Sequence, residues 1–254
     1  MALNSAVVAH RKSPANALDF YPTPPWATRA LLHEIVEPLY GSEFGSAWEP
    51  ACGAGHCALP LGEDFESVFA TDVHDWGYGD IRDFDFTMAR RENAPGEIDW
   101  IITNPPFVRA LEFVQRGFEI ARCGVAMLLR LQWIESEGRY DTVFGPDAPY
   151  APDLICPFSE RVPMIEGVWD PEASTASAYA WFVFRPQDRV YKTVMPKGIH
   201  ATRPIPPGMA DKYARPQDEA LACRGEAKRR AALRKGLTAA IPTPAPELFG
   251  SDPW

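Results

Sequence analysis

The chain has 254 residues, 46% of them hydrophobic and eight of them tryptophan, enough for one α/β domain with a sizeable core plus extensions. No run approaches the roughly 18 apolar residues of a membrane span, and the first twenty residues lack a secretory signal's apolar core and cleavage site, so a cytoplasmic location is expected. The net charge of −9 argues against a uniformly basic polyanion binder, yet residues 185–235 carry 13 Lys/Arg against 5 Asp/Glu, while the rest carries 12 against 29.

In chain order, residues 1–18 read as a flexible leader. Residues 19–185 alternate helix-like and strand-like segments, the pattern of a parallel sheet covered by helices. The turn-rich Tyr21-Pro22-Thr23-Pro24-Pro25 precedes a predicted helix over 27–39. A short strand over 46–49 runs into a glycine turn, and apolar runs of strand length follow at 67–72 and 99–104. An amphipathic helix is expected over 110–121, with buried strands over 124–131 and 178–184. Sixteen of the 26 prolines lie after Phe144, so 145–170 is expected to be irregular loop around short strands. Residues 186–240 form a basic extension with a predicted helix over 220–237, and 241–254, with four prolines, a mobile tail. Cys52, Cys57, Cys123, Cys156 and Cys223 are odd in number and scattered, which favours reduced thiols, and no matching pair follows Cys52 and Cys57 at zinc spacing.

Glu49-Pro50-Ala51-Cys52-Gly53-Ala54-Gly55 is a glycine-rich turn after the first strand, where glycine lets the backbone approach a ligand closely. Glu49 would repel a dinucleotide pyrophosphate but suits an ammonium group. The next strand ends at Asp72, close to where an acid commonly grips ribose hydroxyls in this topology. An adenosine bearing a cationic amino acid, S-adenosylmethionine, satisfies both carboxylates.

These residues resemble the gamma group of N6-adenine DNA methyltransferases of phage and prophage type. Glu49 to Gly55 is similar to their motif I, Asp72-Val73 to the motif II acid and its apolar neighbour, and Tyr21-Pro-Thr23-Pro to motif X. Asp83-Phe84 falls where these enzymes place an Asp-Phe pair whose carboxylate meets the adenine amino group. The resemblance implies a Rossmann-like class I methyltransferase fold with a seven-stranded, mostly parallel sheet and helices on both faces. Its implied cofactor residues are Tyr21, Thr23, Glu49, Ala51, Gly53, Gly55, Asp72, Val73, Asp83, Phe84 and Asn104.

Asn104-Pro105-Pro106-Phe107 resembles motif IV of the amino-methyltransferases. An exocyclic amino group is a poor nucleophile because its lone pair is delocalised into the ring. Two acceptors on its protons, the Asn104 side-chain carbonyl and the Pro105 backbone carbonyl, would expose that lone pair. The Pro105-Pro106 pair fixes the backbone, so that carbonyl is preorganised. Phe107 would stack on a base flipped from the helix. The partner that the resemblance implies is adenine-containing DNA. The expected alternatives are an RNA or protein-glutamine amino-methyltransferase, or a non-catalytic nucleic-acid-binding subunit of the same fold. Further similarity at Arg130, Glu135, Tyr179 and Trp181 extends the resemblance over 19–185. Arg130 and Glu135 would position the loop after the fifth strand, and Tyr179 or Trp181 would border the base pocket if not simply core. Only the loops of 145–171 and the segment after Arg185 are available for target recognition.

Overall fold

The computed structural model describes residues 19–41, 44–186 and 197–234. The predicted leader and tail lie outside them. Eight strands form one sheet in the order β3-β2-β1-β4-β5-β7-β6-β8. They are β1 (Ser46–Glu49), β2 (Ser67–Asp72), β3 (Ile81–Arg82), β4 (Trp100–Thr103), β5 (Gly124–Arg130), β6 (Leu154–Pro157), β7 (Tyr179–Phe184) and β8 (Ala201–Thr202). The strands β3 to β5 pair in parallel, and β7 runs antiparallel between β5 and β6. The sheet thus has eight strands rather than the expected seven. The eighth, β8, pairs in parallel with β6 and comes from the stretch expected to be a basic extension.

The central strands read as unbroken apolar runs because both faces of the sheet are covered. Side chains alternate between the faces. Trp100, Ile102, Ala126, Leu128, Trp181 and Val183 join one core with Trp26, Leu31 and Ile35. Ile101, Val125, Met127, Leu129, Phe182 and Phe184 join the other with Phe113 and Val114. The first core is covered by α1 (Pro25–Leu31), which passes through a π-helical turn (Leu32–Val36) into α2 (Glu37–Tyr40). Pro25 opens α1 where its missing N–H costs nothing. The next short helix is α3 (Ala58–Leu61). The second core is covered by α4 (Ala110–Ile120), whose buried Ala110, Phe113, Val114 and Gly117 recur at helical spacing. A short helix, α5 (Glu137–Arg139), follows β5.

Over its described part, residues 197–234, the expected extension packs on this domain through α6 (Met209–Tyr213), a 3₁₀ turn (Pro216–Leu221) and α7 (Glu226–Arg234). Arg29 of α1, 1% exposed, pairs with Asp218 and Glu63 at 2.7 Å and donates to the Tyr213 carbonyl at 2.8 Å. No helix among the described residues is long and apolar enough to cross a membrane.

Candidate active site

Three adjacent parallel strands, β2, β1 and β4, end on Asp72, Glu49 and Thr103, the last followed directly by Asn104. The strand order reverses beside β1, and such a reversal opens a crevice at the carboxyl edge. A cavity of about 340 Å³ lies there, within the rough 300–1,000 Å³ range of small-molecule sites. Of the expected site residues, Tyr21, Thr23, Glu49, Ala51, Gly53, Asp72, Val73, Phe84, Asn104 and Pro106 line it. Gly55, Asp83, Pro105 and Phe107 do not.

The glycine turn is shaped by close approach. Gly53 and Gly55 have φ of 54° and 86°, in the left-handed region. A Cβ on Gly53 would meet the Phe20 ring at 2.5 Å, and one on Gly55 the Tyr78 ring at 2.8 Å. Asp72 anchors this turn: its Oδ2 accepts from the Gly53 N–H at 2.8 Å and its Oδ1 from the His74 N–H at 2.9 Å. Each carboxylate oxygen keeps further lone-pair capacity for a ligand hydroxyl. Burial raises the Asp72 pKa despite these bonds.

Glu49 is buried, and its Oε1 accepts from the Ala51 N–H at 3.2 Å. Burial, reinforced by the nearby Asp72 charge, pushes its carboxyl up to about 8. A cation in the cavity would reverse that. Burial likewise raises the thiols of Cys52 and Cys57, which makes them poor nucleophiles. Among the described residues no group of three or more His, Cys, Asp or Glu side chains is placed to hold a metal ion.

Asn104 is the best-defined polar group at the site. Its Nδ2 donates to the Tyr21 carbonyl at 2.6 Å, and its Oδ1 is buried without a hydrogen-bond partner. A carbonyl only accepts, so Tyr21 sets which way the amide points. The strap that carries Tyr21 is held at two further points. Asp19 Oδ2 accepts from the Phe107 N–H at 2.9 Å, and the Phe20 carbonyl from the Gly167 N–H at 2.7 Å. The Phe20 ring stacks on Trp76 at 4.2 Å, and both line the cavity. Phe107 packs beside Tyr21 and Tyr179, at centroid distances of 5.7 and 6.3 Å. Trp181 is fully buried core, and its indole N–H donates to the Ala27 carbonyl at 3.0 Å.

Two differences from the sequence reading stand out. Asp83 is exposed, with φ of 70°, and does not line the cavity, whereas Asp85 does. Asp85 accepts from the Thr87 N–H at 2.9 Å and pairs with Arg109 at 3.1 Å. His56, a lone histidine after the glycine turn, carries no periodic or motif signal in the sequence. It lines the cavity, and its Nε2 lies 3.2 Å from the Leu221 carbonyl, so that nitrogen carries the proton. Burial holds the imidazole neutral by lowering its pKa to about 4, and Nδ1 is left without a partner.

The basic stretch is largely neutralised where it is described. Lys212 pairs with Glu34, Arg215 with Glu63, Arg224 with Glu219, Lys228 with Glu172, and both Arg229 and Arg230 with Glu226. Lys235 lies outside the described residues.

No protein-family model matches the chain, and neither does any curated protein. Solved structures do. A candidate RNA methyltransferase of Pyrococcus horikoshii shares 17% identity at a TM-score of 0.50, covering 68% of this chain and 90% of that one. A candidate class I S-adenosylmethionine-dependent methyltransferase of Listeria monocytogenes shares 11% identity at a TM-score of 0.50, covering 87% and 73%. The chain has the Rossmann-like class I methyltransferase fold.

Proposed function

We propose that the protein is an S-adenosylmethionine-dependent methyltransferase acting on the exocyclic N6 amino group of adenine in DNA. The observation that carries this reading is the Asn104 amide, its nitrogen donating to Tyr21 and its buried oxygen left with no donor. A buried acceptor without a partner costs about 1–3 kcal/mol. An amino group brought to that oxygen removes the penalty and gains an acceptor for one of its protons.

The cavity suits the cofactor. Glu49 offers a buried carboxyl to an ammonium, Asp72 offers lone pairs to ribose hydroxyls, and Val73 and Phe84 supply apolar surface for adenine. Asp85, which lines the cavity where Asp83 does not, would accept from the cofactor's adenine amino group. When bound, the cofactor supplies an electrophilic methyl group. The chain's part is to hold the substrate amino group on Asn104 Oδ1 and the Pro105 carbonyl, and to support the base on Phe107. No general base is needed, because a methylated amino group is acidic enough to release its proton to water.

The deciding experiment incubates the protein with methyl-labelled cofactor and DNA, RNA or protein, followed by mass spectrometry of the digested products. N6-methyladenine from DNA, absent with Asn104→Ala, is the expected result. Label confined to RNA or to glutamine would replace the substrate assignment, and label nowhere would overturn the reading.

A further inference from the structure

A second cavity of about 340 Å³ opens beside the first, and Tyr21 is the residue that lines both. Its floor includes Arg130, the last residue of β5, at the same carboxyl edge of the sheet as Asn104. The guanidinium lies 4.7 Å from the centre of the Phe107 ring and 5.8 Å from that of Tyr21, and Tyr179 lines the same cavity. Its Nε is buried without a partner.

Arg130 differs from the arginines of this domain that carboxylates hold, and from Arg139 and Arg185, which donate to backbone carbonyls. Arg29 is held by Glu63 and Asp218, Arg109 by Asp85 and Glu112, and Arg230 by Glu226. Among the described residues no carboxylate pairs with Arg130. Aromatic faces orient a guanidinium without supplying an acceptor for its N–H groups. The result is a planar fork held in place, half withdrawn from water, with its charge not neutralised. Such a group calls for an anionic acceptor, and a phosphate oxygen pair matches the fork. The walls fit a small polar anion. Ser174, Thr175 and Ser177 come from one side and Ala227 of α7 from the other. Glu166 sits at the rim, but it is exposed, so solvent weakens its repulsion.

We propose that this second cavity is a phosphodiester subsite, in which Arg130 takes one phosphate flanking the nucleotide whose base is presented to Asn104. The inference rests on the nucleic-acid reading above. Tyr21 links the two functions: its carbonyl aims the Asn104 amide, and its ring helps hold the guanidinium that receives the phosphate. The subsite takes a phosphodiester from either DNA or RNA.

The test uses the full-length protein with saturating S-adenosylhomocysteine, which fills the first cavity. Fluorescence anisotropy measures binding of short DNA and RNA oligonucleotides carrying a single adenine. In each, the phosphate on one side or the other of that adenine is replaced by a neutral methylphosphonate. The wild type is expected to lose about tenfold in affinity for one of the two replacements, the scale of a charge-assisted hydrogen bond. Arg130→Gln is expected to lose the same factor on the unmodified oligonucleotide and nothing more on the methylphosphonate. Arg130→Lys should recover part of it, since a point charge remains. The log–log salt slope of Arg130→Gln should be shallower by about 0.7 on single strands. Losses that simply add, or a wild type indifferent to both replacements, overturn the subsite alone. The second of these outcomes decides even if Arg130→Gln does not fold. A wild type that titrates S-adenosylhomocysteine normally but binds neither DNA nor RNA overturns the nucleic-acid reading, and the subsite with it. The nucleic acid that shows the methylphosphonate effect identifies the source of the phosphate.

Discussion

Asn104 and Tyr21 are 83 positions apart in sequence, yet the amide of one donates to the backbone carbonyl of the other at 2.6 Å. That bond takes one N–H of the Asn104 amide and turns its oxygen away as a free acceptor. The catalytic orientation proposed for Asn104 is therefore held by the strap rather than by the motif's own neighbours. Asn104→Ala is expected to slow single-turnover methyl transfer by roughly 10²–10³, as loss of one preorganised contact does elsewhere. Affinity for S-adenosylhomocysteine should stay within a few-fold. Asn104→Asp should be no better, because a carboxylate has no hydrogen to give the Tyr21 carbonyl. A near-normal rate in either variant would remove Asn104 from the chemistry.

Glu49 makes cofactor binding a proton-coupled event. Its carboxyl, ordinarily at 4.5, is pushed up to about 8 by burial and by Asp72, so the free protein holds that proton at neutral pH. Pairing with an ammonium requires the ionised form, so binding should release a proton below about pH 8. Affinity should then rise between pH 6 and 8, by up to about tenfold per unit. Calorimetry of S-adenosylhomocysteine in buffers of different ionisation heat reads the released proton directly. Stability without ligand should move the opposite way. The folded state binds more protons than the unfolded chain between about pH 4.5 and 8, so unfolding free energy should fall as pH rises through that window. In Glu49→Gln both pH dependences should flatten.

The fold was legible where burial imposes a pattern. The strand over 46–49 and the one over 67–72 have the expected bounds, because each short apolar run ends on an acid, Glu49 or Asp72, at the crevice. The loop after Glu49 and the segment after Thr103 were legible for the same reason, since chemistry-bearing residues interrupt apolar runs there. What could not be read depends on single backbone angles or distant partners. Asp83 adopts φ of 70°, a turn that asparagine and aspartate tolerate but do not announce, and it moves the cavity-facing acid two residues on. The two-residue β8 pairs with β6, more than forty residues earlier, and has no periodicity long enough to detect. The neutralisation of the basic stretch depends on acids such as Glu34, Glu63 and Glu172, whose proximity is a product of the fold.

The displaced acid can be checked directly. Asp85→Ala is expected to weaken S-adenosylhomocysteine binding by about tenfold, the cost of one hydrogen bond to a charged acceptor. Asp83→Ala should leave it within about twofold, since Asp83 does not face the cavity. Asp85 also caps the turn at Thr87, so thermal melting of the unliganded variant must show that it is folded. The reverse order of sensitivities would restore Asp83 to the site.

The pairing of Arg29 with Asp218 bears on what the C-terminal segment is for. It joins α1 to the 3₁₀ turn Pro216–Leu221, whose last carbonyl holds His56 at the first cavity, while α7 beyond it walls the second. Removing one partner of a buried pair leaves an uncompensated charge and costs about 3–5 kcal/mol. Arg29 would keep Glu63 and the Tyr213 carbonyl, so Asp218→Ala should fall at the low end, about 3 kcal/mol. Denaturant unfolding reads this as a lower midpoint. If the segment serves the site by completing its walls, S-adenosylhomocysteine affinity should weaken in the variant even under conditions where it is fully folded. A lower midpoint with unchanged affinity would make the segment a brace for α1 alone. An unchanged midpoint would mean that Arg29 and Asp218 do not form the buried pair that joins this segment to α1.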